Sequence, residues 1–301
     1  MNYDVLLVGD YWYDLIYTDL PRMPELGREL FAGSFDNVPG GPFNYAVALH
    51  RLGLRVGWAG DFGNDVFSRL VLEAARREGL DTSLFQHHDR PYRRVTSAAS
   101  FPSDRAFLSY SDPEPKLSAP IKALAHTQAR LVLIPGLFFG PVFDSAQLVV
   151  RARRMKIAMD CHLTDVTLED PALRRALRHV DVFMPNAMEA RFLTGRDDTQ
   201  AALHALGEHC KLVVVKDGAN GAYALRGGEV VHAPAIAVTV VGTTGAGDCF
   251  GAGFVKAWLA DRPLAECLRW GAICGGLSTT ARGGGTAAPT LAQVETKLKT
   301  I

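Results

Sequence analysis

One stretch near the C-terminal end of the chain combines glycines, small residues and a carboxylate. Residues 241–253 read VGTTGAGDCFGAG, and an apolar, helix-like segment begins within this run. Gly245, Ala246 and Gly247 would leave backbone N–H groups open at the start of that helix, and such a terminus attracts phosphate. Asp248 follows directly, where a carboxylate could accept the proton of an attacking hydroxyl. The stretch therefore predicts phosphoryl transfer from a nucleotide to an alcohol.

Simpler interpretations of this stretch are open at this point. An acid in the first turn of a helix is favoured by the helix dipole by ~0.3–1 kcal/mol, and glycines also let helices pack closely.

Two other kinds of nucleotide-binding loop are excluded. The spacing Gly-x-Gly-x-x-x-Gly, far from the first strand, does not fit the dinucleotide-binding fingerprint. The chain contains no Gly-Lys pair, so it has no Walker A loop.

Composition and charge favour a large cytoplasmic protein. The chain has 301 residues, of which 48% are hydrophobic and 21% charged, enough to bury a sizeable core. Lys+Arg and Asp+Glu balance at 32 each, which argues against nucleic-acid and membrane partners. The five cysteines lack Cys-x-x-Cys spacing, a pattern typical of the reducing cytosol. We expect no signal peptide, and no apolar run reaches the ~18–20 residues of a membrane helix.

The order of predicted elements indicates a parallel sheet with helices on both faces. A strand at 4–9 opens the chain, and later strands at 130–134, 156–160, 180–184 and 211–215 alternate with helices at 143–154, 171–178, 186–194 and 199–207. A hairpin at 221–226 and 229–234 and helices at 244–260, 263–281 and 290–300 follow. Residues 11–37 and 92–110 interrupt this rhythm. We predict a single α/β domain, 1–301, with a small β lid formed by those two segments.

Two separated motifs together resemble the signatures of the PfkB (ribokinase-like) family of carbohydrate and nucleoside kinases. Residues 244–248 (TGAGD), with Ala252 and Gly253, match the second signature. Residues 40–46 (GGPFNYA), followed by Gly53 and Gly63, match the first. The resemblance covers nearly the whole chain. It implies a ribokinase-like three-layer α/β/α fold with a mostly parallel central sheet and a small β lid. It also implies an ATP-dependent kinase that phosphorylates a hydroxyl of a sugar or sugar derivative.

The resemblance implies roles for individual residues. Asp248 would be the general base, and the amides of Gly245, Ala246 and Gly247 would form an anion hole. Asn186 and Glu189 match an Asn-x-x-Glu motif that helps organise Mg²⁺, partly through water. The expected substrate-binding residues are Asp14, Gly41, Asn44, Asp10 and His162. The expected nucleotide-binding residues are Lys216, Gly218, Gly221, Thr244 and Gly284.

Structural explanations compete with several of these roles. Asn186 with Glu189 is close to a capping box, and Gly218 with Gly221 fits an ordinary hairpin turn. A carboxylate such as Asp14 can accept two hydrogen bonds from vicinal hydroxyls, but an acid on the lid surface is the alternative. A lone histidine such as His162 is more often an ordinary core or surface residue.

The chain departs from the family pattern at three positions. Gly242 stands where the second signature usually has an Asp that helps hold a monovalent cation, so we expect weak activation by K⁺. Lys216 occupies a position often held by a nucleotide-contacting Thr. His162, in the run 160–162 (DCH), replaces the Asn of a common Asp-x-Asn, which makes it a candidate specificity residue.

Alternatives to a sugar kinase are a nucleoside kinase of the same family and, from a different class, a non-catalytic nucleotide- or sugar-binding protein. The intact Asp248 speaks against the latter. Open strand edges of the lid seek partners, so a homodimer formed through the lid is a further expectation.

Overall fold

The computed structural model describes residues 2–101, 105–162 and 165–300, which contain fourteen strands and ten α-helices. The strands are β1 (Asn2–Val8), β2 (Trp12–Thr18), β3 (Ser34–Gly40), β4 (Val56–Ala59), β5 (Asp61–Phe62), β6 (Gln86–His87), β7 (Arg94–Ser100), β8 (Arg105–Ser111), β9 (Gln128–Ile134), β10 (Lys156–Asp160), β11 (Val182–Met184), β12 (Leu212–Lys216), β13 (Ala222–Arg226) and β14 (Glu229–Ala233). The helices are α1 (Pro42–Arg51), α2 (Val66–Arg77), α3 (Ala119–His126), α4 (Pro141–Ala152), α5 (Pro171–Leu177), α6 (Ala187–Thr194), α7 (Thr199–Gly207), α8 (Ala246–Leu259), α9 (Leu264–Ser278) and α10 (Leu291–Leu298).

The central sheet has eight strands in the order β14-β13-β12-β11-β10-β9-β1-β4. Strands β12 to β4 in this order pair in parallel, and the two pairings at the other edge, β12–β13 and β13–β14, are antiparallel. The parallel strands end at a common edge, where such sheets bind ligands. The predicted mostly parallel sheet is therefore confirmed.

Alternate residues of the central strands enter two separate cores. Val5 and Leu7 of β1 belong to a cluster with Phe43 of α1 and Phe254 of α8. Leu6, their neighbour in the same strand, belongs to the opposite cluster, with residues of α4 to α7. Because successive side chains of a strand point to opposite faces, this division requires helices on both sides of the sheet. The three-layer α/β/α fold follows.

A second sheet, in the order β3-β2-β7-β8, is built from the two segments expected to form the lid. Strands β2 and β7 pair in parallel, and the outer pairs are antiparallel. Strand β3 continues to Gly40, beyond the expected lid boundary at 37, and so leads directly into α1. The expected range 92–110 includes residues 102–104, which lie outside the described residues.

Most predicted helices differ from the observed ones only at their ends, but α3 was not predicted. The predicted helix 263–281 ends at Ser278, where the hydroxyls of Ser278, Thr279 and Thr280 each donate to the carbonyl three residues earlier. These bonds engage the last helical carbonyls. None of the described helices is long and apolar enough to cross a bilayer.

Candidate active site

The glycine-rich motif forms the first turn of α8. Gly245 precedes the helix with a φ of 74°, in the left-handed region that favours glycine. A Cβ there would lie 2.9 Å from Cα of Gly284 and 3.2 Å from Nδ2 of Asn44, so close packing also requires glycine. First-turn amides have no intrahelical partner, although the amide of Ala246 donates to the carbonyl of Thr243 at 3.3 Å. The helix start therefore has the donors that an anion hole needs.

The carboxylate of Asp248 is bonded to a residue from the other end of the chain. Nδ2 of Asn44 donates to Oδ2 of Asp248 at 2.8 Å, and Oδ1 of Asn44 accepts from the amide of Gly285 at 2.6 Å. Asn44 is 3% exposed and lies in the first turn of α1. One buried amide side chain thus fixes the expected base and the glycine loop that follows α9.

Two half-buried carboxyls in the site have raised pKa values. The pKa of Asp248 is raised to about 7, mainly by burial and also by the charges of Asp160 and Asp14, against the lowering effects of Asn44 and Lys216. Burial also raises the pKa of Asp14 to about 6. Asp14 packs against the end of β3, since a Cβ on Gly40 would come within 2.2 Å of its Oδ2. Asp14 is therefore directed into the site and not to the lid surface.

Lys216 lies inside the site, at the end of β12. Its Nζ donates to Oδ1 of Asp160 at 2.6 Å, and Oδ2 of Asp160 accepts a hydrogen bond from the hydroxyl of Tyr45. Burial by itself would lower the pKa of Lys216, but Asp160, Glu189 and Asp248 outweigh it and the pKa is raised. A Cβ on Gly247 would lie 3.5 Å from Nζ. A charged ammonium therefore adjoins the first turn of α8.

Asn186 and Glu189 form the helix cap considered above. The amide of Glu189 donates to Oδ1 of Asn186 at 2.9 Å, and Oε2 of Glu189 accepts from the amide of Asn186 at 2.7 Å, a complete capping box at the start of α6. Burial raises the pKa of Glu189 to about 7, against the lowering effect of Lys216. The pair thus lies beside Lys216, and its metal role stays a prediction.

The expected nucleotide side contains tight glycine turns. Gly218 and Gly221 form the turn between β12 and β13, with φ values of 53° and 89°. A Cβ on Gly221 would lie 2.1 Å from the carbonyl of Ala233, so hairpin geometry alone explains this glycine. Thr244 directly precedes Gly245, and Gly284 contacts Gly245. The structure brings the loop of Thr244 and Gly245 next to the loop of Gly284. The nucleotide contacts of Thr244 and Gly284 stay predictions.

The remaining expected substrate residues lie at the entrance between the two sheets. Gly41 contacts Trp12, since a Cβ on it would lie 2.9 Å from Cδ1 of the indole. Nδ1 of His162 accepts from the amide of Leu137 at 3.2 Å, and burial lowers the pKa of this imidazole. His162 therefore faces the site as a neutral side chain.

Asp10 is engaged by the protein through both carboxylate oxygens. Its Oδ1 accepts from the amide of Asp61 at 3.0 Å, and its Oδ2 accepts from the hydroxyl of Tyr92 at 2.6 Å and pairs with Nη2 of Arg94 at 2.9 Å. Asp10 thus joins the end of β1 to the lid strand β7, and direct contact with substrate stays a prediction.

Sequence reasoning did not identify Tyr45 or the pairing of Lys216 with Asp160. The position of Asp160 after a buried strand was a signal. Nothing in the local sequence indicates that Tyr45 would reach it from α1. Gly242 is not required by packing, because a Cβ there would lie 3.4 Å from its nearest neighbour, the carbonyl of Ala281. The expected weak K⁺ activation stays a prediction.

The fold and the site define a phosphotransferase of ribokinase-like architecture, and comparison with known proteins supports this class. The profile described as pfkB family carbohydrate kinase matches residues 3–291. A fructokinase of Klebsiella pneumoniae is 30% identical, over 96% of this chain and 97% of that protein. A ribokinase of Haemophilus influenzae is 25% identical, over 90% of each. The structure of Arabidopsis thaliana ribokinase complexed with ribose and ATP superposes with a TM-score of 0.82 at 23% identity, over 99% of both chains.

The chain therefore belongs to the pfkB family of carbohydrate kinases, and it is a phosphotransferase with an alcohol group as acceptor.

We expect Lys216→Met to destabilise the protein by about 3–5 kcal/mol, because it leaves Asp160 buried without its cation. Adding Asp160→Asn to this variant should restore much of the loss. Urea unfolding of both single variants and the double variant measures the coupling. The matched control is Lys211→Met, which removes the 63% exposed partner of Asp181 and should cost less than about 1 kcal/mol. Equal effects of Lys216→Met and Lys211→Met would contradict the buried pair.

Proposed function

We propose that this protein transfers the γ-phosphate of ATP to a hydroxyl group of a sugar or sugar derivative, with Asp248 as the general base. The observation that carries the proposal is the carboxylate of Asp248 in the first turn of α8, held by Asn44 at 2.8 Å. Its raised pKa of about 7 suits proton transfer near neutral pH.

The proposed reaction needs alignment and charge neutralisation more than covalent help from the protein. Asp14 binds hydroxyls of the acceptor and directs one of them to Asp248. The oxygen of that hydroxyl attacks the γ-phosphorus, its proton passes to Asp248, and ADP leaves. The amides of Gly245, Ala246 and Gly247 donate to the phosphoryl oxygens as negative charge develops on them, without reorganisation.

The residues on the nucleotide side fit Mg²⁺, because a carboxylate and an amide oxygen supply the hard ligands it prefers while it keeps several waters. Oε2 of Glu189 and Oδ1 of Asn186 each accept a hydrogen bond in the capping box, so Oε1 of Glu189 is the free oxygen, and contact with the ion through Asn186 would be partly through water. Among the described residues there is no cluster of three or more His, Cys, Asp or Glu side chains suited to a metal. When bound with the nucleotide, Mg²⁺ neutralises charge on its phosphate oxygens.

A homodimer through the lid is proposed from the lid's exposed face. Phe35, Leu108 and Tyr110 lie on one face of the lid sheet, as the strand pairing shows, and are largely exposed. Exposed apolar patches often mark contact surfaces.

We expect Asp248→Asn to lower kcat by about 10²–10⁴-fold, the usual contribution of a general base. Binding of ATP, measured by calorimetry, should change little because the amide keeps the shape of the carboxyl. The control is Asp261→Asn, an exposed acid just beyond the end of α8, which should leave kcat unchanged. The acceptor for these assays is first identified by measuring ADP release with Mg-ATP and a panel of sugars, sugar phosphates, sugar acids and nucleosides. Near-normal turnover by Asp248→Asn would refute its assignment as base.

The rate should fall as the pH drops through about 7, because Asp248 accepts a proton only when ionised and its pKa is raised to about 7. Removing the hydrogen bond that lowers this pKa, by Asn44→Ala, should move the acid limb to higher pH. The measurement is kcat between pH 5.5 and 9 at saturating substrates, a range that brackets the pKa. A profile that is flat across this range would contradict the proposed role.

A further inference from the structure

A chamber of about 460 Å³ adjoins the acceptor side of the site. Trp12 and Gly41 border it, together with Asp10 and His162. Trp12 and Asp14 lie two residues apart in β2 and therefore share a face of that strand. A molecule with its hydroxyls at Asp14 would accordingly have its other end beside Trp12, at the opening of the chamber.

Most of the chamber wall is apolar and partly open to solvent. Ile121, Phe138 and Val142 line it and are 43%, 41% and 56% exposed. Leu124 and Phe143 extend the wall inward. A ligand that covers these side chains gains free energy in proportion to the apolar surface that it removes from water. A free sugar, which presents hydroxyls in every direction, would leave most of this gain unused.

The charges around the chamber do not favour an anionic ligand. Arg94 is the one lysine or arginine among the described residues that line it, and its Nη2 already pairs with Asp10 at 2.9 Å and Glu114 at 3.4 Å. Burial lowers the pKa of His162, which is therefore neutral. A phosphate or carboxylate would meet two carboxylates and no unpaired cation.

Two buried polar atoms of chamber-lining residues have no hydrogen-bond partner among the described residues. They are Nε of Arg94, a donor, and Oε1 of Gln147, an acceptor. These residues are 7% and 6% exposed, and a buried polar atom without a partner destabilises the fold. An uncharged ligand that carries both an acceptor and a donor would satisfy them.

We propose that the chamber holds an uncharged, flat heteroaromatic ring joined to the hydroxyl-bearing part of the acceptor, so that the acceptor is a nucleoside. This inference rests on the proposed kinase function and selects among its acceptors. The ring packs against Trp12 and the apolar wall, and its polar edge bonds to Arg94 and Gln147. The sugar hydroxyls lie at Asp14 and Asp248.

The test compares kcat/KM for adenosine, inosine and cytidine with that for ribose, fructose, fructose 6-phosphate and gluconate, by ADP release. At least one nucleoside should exceed every other acceptor by about tenfold or more, the scale of discrimination by an apolar pocket. Ala146→Trp, which fills the chamber from α4, should reduce the ratio of nucleoside to ribose kcat/KM by a similar factor. Leu148→Trp, on the exposed side of α4, is the matched control and should leave the ratio unchanged.

A preference for a free or anionic sugar, or an unchanged ratio in Ala146→Trp, would overturn the inference while leaving the kinase proposal intact. Calorimetric binding of nucleosides and ribose without ATP tests the chamber separately from turnover, and tighter binding of ribose would also overturn it. If Ala146→Trp does not fold, Val142→Trp at the rim makes the same test. Absence of turnover with every acceptor would instead refute the kinase proposal itself.

Discussion

The ammonium group of Lys216 is the positive charge around which the buried carboxylates of the site are arranged. Asp160 pairs with it directly, and the charges of Glu189 and Asp248 also raise its pKa. Isolated buried carboxylates are costly, and an opposite charge nearby offsets part of that cost. Lys216 also lowers the pKa of Asp248, which favours the ionised form that a base requires. The ends of β10 and β12 and the start of α8 are therefore held in one electrostatic unit.

Asn44 performs a second kind of coupling through hydrogen bonds. It connects the first turn of α1 to Asp248 and to the glycine loop after α9. A buried amide that lost either partner would leave a polar group unsatisfied. The positions of the proposed base and of that loop are consequently set together, which is what a reaction dependent on alignment requires.

The lid is tied to the central sheet by another buried pair. Arg94 of β7 reaches Asp10 at the end of β1, and Tyr92 donates to the same carboxylate. This contact forms one side of the chamber next to the acceptor site. Specificity in this protein would then depend on the same interactions that hold the lid, because the side chains that join the sheets also form the chamber wall.

The sequence alone determined the architecture and the centre of the site. Strands with apolar runs alternate with amphipathic helices, so a parallel sheet with two covered faces is the arrangement that buries both. The motifs at 40–46 and 244–248 identified the family because glycines and the acid are needed at fixed local spacing. Helix α3 was not predicted, and α9 ends three residues before its predicted end, where the hydroxyls of residues 278–280 bond to the last helical carbonyls.

Only the tertiary structure shows which distant residues the polar side chains of the site contact. Lys216 was expected to contact nucleotide, which stays a prediction, and the fold pairs it with Asp160, 56 residues away. Both oxygens of Asp10 are engaged by the protein, by residues 51 and 82 positions away, and its contact with substrate stays a prediction. Asn44 bonds to Asp248 across 204 residues. The sequence fixes which groups can be charged or can donate, but their neighbours, burial and pKa values depend on distances between strands that only the folded chain sets.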